Sequence, residues 1–127
     1  MKKVAKRIIF DTNFLVDIVK FKIDLGDIDK LITRPYRFET IGSVVSELKK
    51  INNKNSKVAL KIIYEKKFKI LKARHKNVDD EIVDIVKKNE RDKKPVVATN
   101  DTKLRKRIKA LDAKVIYLRA KKHLEVH

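Results

Sequence analysis

Four acidic side chains, Asp11, Glu47, Asp79 and Asp101, stand where a chain could use them together. Asp11 and Asp101 each follow a short apolar run, Ile8-Ile9-Phe10 and Val96-Val97-Ala98-Thr99, and each stands where a helix begins. In open α/β sheets the ligand site lies at the carboxyl ends of such strands. Asp79 opens a helix after the third strand, and Glu47 sits one turn into the helix after the second, so its side chain can lean back to the same edge. Clustered carboxylates repel one another unless a cation lies between them. Oxygen-only ligands select a hard cation, Mg2+ or Mn2+, which keeps several waters. One or two such ions can activate water and stabilise a leaving oxygen in phosphodiester cleavage.

Each acid also has a simpler explanation. Asp79 and Asp101 are good helix N-caps, and the helix dipole favours a carboxylate there. Glu47 could pair with Lys50 on a wet helix face. Asp11 is the hardest to explain by capping alone, because Thr12 or Asn13 could cap without placing a charge beside the core. The coincidence of four acids on one rim favours a site.

The elements that must position these acids alternate along the chain. An apolar strand through Phe10 leads to a helix over Asn13 to Phe21, and a short helix is expected over Asp27 to Ile32. Arg37 to Ile41 reads as a strand despite Glu39, and Ser43 as the cap of a helix to Ile51. Asn52 to Asn55 is a loop, from which Ser56 caps a helix over Lys57 to Lys66 with Val58, Leu60, Ile62 and Ile63 as its apolar set. Phe68 to Ala73 is a short strand. Asn77-Val78-Asp79-Asp80 opens a helix that buries Ile82, Val83, Ile85 and Val86 and breaks at Asp92 to Pro95. After the strand Val96 to Thr99 comes a basic helix to about Ala110, then a last strand over Val115 to Leu118. This alternation predicts one α/β domain over residues 1–127, with a mostly parallel sheet covered on both faces. Met1 to Lys6 reads as a basic lead-in, and Lys121 to His127 as a tail that is mobile or partner-bound.

Composition narrows the partner. The chain has 34 basic and 17 acidic residues and a net charge of +17, which favours a polyanion, most commonly nucleic acid. A basic exterior would supply the grip on phosphates that an acid-lined cleavage site lacks. Lys103, Arg105, Lys106, Arg107 and Lys109, on the helix that Asp101 starts, are the first candidates for nucleic-acid contact; Lys49 and Lys50 form a second group with Lys54 and Lys57. The absence of cysteine excludes disulfides and thiolate metal sites. No signal-peptide pattern and no apolar run near about 18 residues is present, which argues for a cytoplasmic protein without a membrane partner. With two glycines and no glycine-rich phosphate loop, a Rossmann-type nucleotide site is not expected. His75 reads as a surface residue. The scattered Tyr36, Tyr64 and Tyr117 suit packing better than base stacking.

The segments Ile9-Phe10-Asp11-Thr12-Asn13-Phe14-Leu15, Val45-Ser46-Glu47-Leu48, Asp79-Asp80-Glu81-Ile82-Val83-Asp84 and Val97 to Arg107 together resemble the PIN-domain nucleases, in the family's order and over almost the whole chain. The resemblance implies a three-layer α/β/α sandwich and a Mg2+- or Mn2+-dependent endoribonuclease acting on single-stranded RNA. It makes Asp11, Glu47, Asp79 and Asp101 the acidic, metal-holding set, with Thr12, Asn13 and Thr99 supporting carboxylates or metal-bound water. Asp79 is favoured over Asp80 because the family's acid typically lies three residues before a buried aliphatic, here Ile82. Asp80 could share the role, and Asp84 reads as a more distant acid or as exposed. The Asp-Asp-x-Ile-Val-Asp and Leu-Arg-Lys-Arg stretches are more similar to PIN proteins of small-subunit rRNA processing than to VapC-type toxins, although Lys103 stands where the former often carry a further acid. That resemblance implies a pre-rRNA substrate, with assembly-factor proteins or a second copy (a homodimer) as partners. A catalytically weak RNA-binding assembly factor and a toxin ribonuclease are the alternatives.

Overall fold

The computed structural model describes residues 5–127. Of the expected lead-in, residues 1–4 lie outside the described residues, while Lys6 already belongs to the first strand. In order, the chain forms β1 (Lys6–Phe10), α1 (Thr12–Lys20), a 3-10 helix (Leu25–Lys30), β2 (Tyr36–Ile41), α2 (Gly42–Ile51), α3 (Lys54–Glu65), β3 (Lys69–Leu71), α4 (Val78–Lys88), a second 3-10 turn, β4 (Val96–Ala98), α5 (Thr102–Lys109), β5 (Val115–Arg119) and β6 (His123–Val126).

The six strands make one sheet in the order β3-β2-β1-β4-β5-β6, parallel except for the β5–β6 pair. β1 is central and its Ile8, Ile9 and Phe10 are fully buried, as expected of a parallel strand covered on both faces. The chain winds from β1 outward through β2 to β3, then returns to the other side of β1 for β4. Parallel crossovers are right-handed, so this reversal sends the connecting helices to opposite faces. Helices α1, α2 and α3 accordingly pack on one another, and α4 packs on α5. The result is the expected three-layer α/β/α sandwich. Phe10 leads its face of the core, with ring centroids 4.9 Å from Phe68, 5.2 Å from Phe38 and 5.5 Å from Phe14. No helix among the described residues is long and apolar enough to cross a membrane.

Several local expectations need correction. Asn53, not Ser56, caps α3: its side chain accepts from the Ser56 N–H at 2.8 Å, and Ser56 returns a bond to the Asn53 N–H. That reciprocal box starts the helix earlier and turns Ala59 and Ile63 inward, leaving Val58 40% exposed. Ser43 lies inside α2, which begins after Ile41 without a side-chain cap. Glu39, a poor strand former, holds its place because its fully buried carboxylate meets Arg7 at 2.9 Å and Arg37 at 2.6 Å.

The largest correction concerns the end of the chain. Lys121 to His127 is no loose tail: His123–Val126 forms β6, antiparallel to β5, with Leu124 buried opposite Leu118. His127 and Val115 exchange two backbone bonds, 2.8 and 3.0 Å, which satisfy the edge of β5. The turn between the strands uses positive φ at Ala120 and Lys121 (52° and 58°), the backbone sense of primed hairpin turns. Those turns are usually signalled by Asn or Gly, so the residue types here conceal the hairpin. Truncating Leu124 to Ala is expected to cost about 2–3 kcal/mol in urea unfolding, within the range for buried leucines. A near-zero change would restore the loose-tail description.

Candidate active site

β1 and β4 run in parallel register, pairing Ile9 with Val97 and Phe10 with Ala98. The ladder continues one step further, the Asp11 N–H donating to the Ala98 carbonyl at 3.2 Å. That step sets Asp11 beside Thr99, whose hydroxyl donates to Asp11 Oδ2. The other carboxylate oxygen, Oδ1, accepts from the Phe14 N–H at 2.7 Å and so caps α1. Asp11 is therefore both a cap and a member of the pocket, not one or the other.

The remaining acids arrive from three other segments. Asp101 caps α5, its Oδ1 accepting from the Lys103 N–H at 2.8 Å and the Leu104 N–H at 3.4 Å. Asp79 lies in the first turn of α4 but does not cap it; Asn77 does, through the Asp80 N–H. Glu47 on α2 accepts the Thr12 hydroxyl at 3.2 Å, and no ion pair with Lys50 forms among the described residues. Asp11, Thr12, Asn13, Glu47, Asn77, Val78, Asp79 and Asp101 line a single hollow of about 230 Å³ at the carboxyl edge of the sheet, where the strand order reverses. A larger hollow of about 440 Å³, lined by Leu25, Tyr36 and Phe38 among others, opens near the amino end of β2 and contains no such acid group.

Other expected site residues go elsewhere. Asp80 turns out of the hollow to Arg107, 3.0 Å away. Asp84 lies on another side of α4, paired with Lys88 at 2.8 Å. Of the basic residues on α5, Lys103, Lys106, Arg107 and Lys109 are exposed, with Arg107 held at the acid rim by Asp80, whereas Arg105 stacks on Tyr117, 4.3 Å from the ring centroid. Lys49 and Lys50 are exposed just beyond Glu47. Two asparagines were not singled out by the sequence. Asn77 lines the hollow, and its position before two acids at a helix start was its only signal. Asn100 donates to Asp17 at 2.8 Å and accepts from the Leu118 N–H at 2.8 Å, tying the Thr99–Asp101 turn to both α1 and β5. Those partners are distant in sequence, so nothing local announced it.

The hollow has a strained charge balance. Burial pushes the Asp11 carboxyl up to about 7, against the pull of its bonds from Thr99 and Phe14, and Asp79 and Asp101 push it further. Asp79 is raised too, first by burial and then by Asp101, with Arg107 opposing. A pocket of oxygen donors that resists its own ionisation fits a hard divalent cation, whose charge would relieve both effects.

This electrostatics fixes a pH dependence. A free Asp ionises near pH 4 (about 3.9), and folded Asp11 near 7, so between these values the folded state binds the extra proton. In chelator, this group makes the protein more stable at pH 5.5 than at pH 8. Asp11→Asn keeps the cap acceptor and removes the ionisation, so it should raise stability at pH 8 by up to about 4 kcal/mol and flatten the pH slope. Urea unfolding at the two pH values measures both effects; an unchanged slope in the variant would assign it to other groups. Asp29, lowered to about 2 by Arg34, contributes a loss only below this window.

Comparison with known proteins shows the family. A family model described as a PIN like domain matches residues 8–121. The chain is 25% identical over 128 residues to a protein of Methanocaldococcus jannaschii named Ribonuclease VapC4, covering 94% of this chain and 95% of that one. It also superposes on the structure of the PIN domain endonuclease Utp24 with a TM-score of 0.81 and 28% identity, covering 95% of this chain and 90% of that one. The matched span contains all four acids of the hollow, and the chain belongs to the PIN-like domain family.

Proposed function

We propose that the protein is a Mg2+- or Mn2+-dependent endoribonuclease that cleaves single-stranded RNA. The reading is carried by one observation: four carboxylates from four separate segments line one polar hollow at the switch point of a parallel sheet. Asp11, Glu47, Asp79 and Asp101 would hold the cation. When bound, it supplies water activation and charge stabilisation for phosphodiester hydrolysis. The protein's part is to fix the donors: Thr99 holds Asp11, Thr12 holds Glu47, and Asn100 anchors the turn that carries Asp101. Asn13 and Asn77 offer polar side chains at the mouth, where a phosphate or water would enter.

The exterior suits an RNA backbone. Lys103, Lys106 and Arg107 lie on the helix that Asp101 starts, and Lys49 and Lys50 follow Glu47, so cations flank the acids from two sides. Processing of an rRNA precursor is the favoured role, supported by the resemblance of the Asp79-Asp80-Glu81-Ile82-Val83-Asp84 and Leu104-Arg105-Lys106-Arg107 stretches to PIN proteins of small-subunit rRNA processing; the likeness to the Utp24 endonuclease supports cleavage within an RNA chain. The match to a VapC ribonuclease over nearly the whole chain favours a toxin-type ribonuclease as the second reading. Growth arrest on expression, relieved by a neighbouring antitoxin, would select that reading.

Cleavage of a single-stranded RNA in Mn2+ should disappear in chelator and fall by about a hundredfold or more in Asp11→Asn. Cleavage that survives both would refute the assignment of the hollow. RNA binding without any cleavage would favour the assembly-factor role. Replacing Lys103 or Lys106 by Ala should weaken binding to all sequences and reduce the slope of log affinity against log salt by about 0.7 each, the single-strand value per phosphate contact.

A further inference from the structure

The structure assigns a second, separate divalent-cation site to His75, Glu81 and Asp84, fitted to a borderline ion such as Zn2+. One ligand atom from each lies within 4.8 Å of the others. His75 Nε2 is 3.5 Å from Asp84 Oδ2 and 3.7 Å from Glu81 Oε2. Ligands at about 2.0–2.1 Å around a tetrahedral ion stand roughly 3.4 Å apart, so the group needs little contraction to share one.

The independent sign of a missing ligand is Glu81 itself. Its side chain is 2% exposed, and Oε1 accepts from the Arg74 N–H, but Oε2 is buried with no hydrogen-bond partner among the described residues. A buried carboxylate oxygen without a partner is costly, and the 3.7 Å approach of His75 is too long to be a hydrogen bond. Among the described residues no lysine or arginine forms an ion pair with Glu81; Lys88 is engaged with Asp84, and the Arg7 guanidinium with Glu39. A cation between the three ligands would satisfy Oε2, and the open hollow of about 370 Å³ leaves room for water as a further ligand. One imidazole with two carboxylates is a donor set for zinc-type ions more than for Mg2+.

This site is distinct from the acid hollow. Glu81 is two residues beyond Asp79, about 200° around the helix, so the two face opposite sides of α4. His75 precedes the helix cap Asn77, and a cation joining it to Glu81 and Asp84 would fasten the β3–α4 loop to the helix that delivers Asp79. The role is structural, and the assignment does not depend on the nuclease reading.

The test uses the full chain carrying Asp11→Asn and Asp101→Asn, which disables the acid hollow. Calorimetric titration with Zn2+ should give one ion per chain, and the melting temperature should rise with Zn2+ concentration. Adding the exposed substitution His75→Ala should lower the affinity by at least about tenfold and abolish the melting shift. Co2+ in place of Zn2+ should give visible d–d absorption that His75→Ala removes, and Glu81→Gln should weaken binding while the chain stays folded by circular dichroism. Absence of binding by the folded double variant, or affinity unchanged by His75→Ala (binding at His123 and His127 instead), would overturn the assignment. Neither outcome bears on RNA cleavage.

Discussion

The register between β1 and β4 is the constraint on which the rest of the site depends. Pairing Phe10 with Ala98 leaves Asp11 and Thr99 as the next neighbours, so a carboxylate is buried beside a hydroxyl at the end of the core. A slip by one residue would exchange the two buried faces of either strand, setting each side chain in packing shaped for its neighbour, and would separate the pair. Both strands resist slipping because Ile8, Ile9, Phe10, Val96, Val97 and Ala98 are almost completely buried. Sheet packing thus provides the precision that places a charge, and Asp11 bears the cost as a carboxyl raised to about 7.

Charge is divided in the same way across the molecule. A chain of net charge +17 gathers four of its 17 acids in one small hollow and leaves much of its basic excess outside. The boundary runs along α5 and α4, where Arg107 bridges to Asp80 and lowers the cost of ionising Asp79. Helix geometry sorts α4 further. Asp79 faces the acid hollow, Asp80 the basic helix, and Glu81 with Asp84 a different hollow, where His75 Nε2 approaches both carboxylates. The four nearby acids therefore fall into three surroundings, because each step around the helix is about 100° and only Glu81 and Asp84, three residues apart, share a face.

Much of this was legible in the sequence because it depends on local periodicity. Apolar runs of three or four residues ending in an acid and followed by 3.6-residue spacing identify β1–α1 and β4–α5 without any tertiary information, and with them Asp11 and Asp101. The alternation of elements suffices for a parallel sheet with helices on both sides. The +17 charge indicates a polyanion. The resemblance of the four segments selected Glu47 and Asp79, which spacing alone left open to capping or a surface ion pair.

Tertiary structure decided what depends on residues distant in the chain. Only the pairing of β1 with β4 joins Thr99 to Asp11, and only packing brings Asn100 to Asp17 and Leu118. The C-terminal strand was hidden because its turn uses Ala120 and Lys121 at positive φ, residue types that do not advertise that conformation, and because its stability comes from the open edge of β5. Glu81 reads as one more helix-start acid until packing buries it and leaves Oε2 without a hydrogen-bond partner among the described residues. Sequence determined which acids were available; the fold decided which would share a cavity, because convergence is set by register and crossover handedness, neither of which is encoded at a single position.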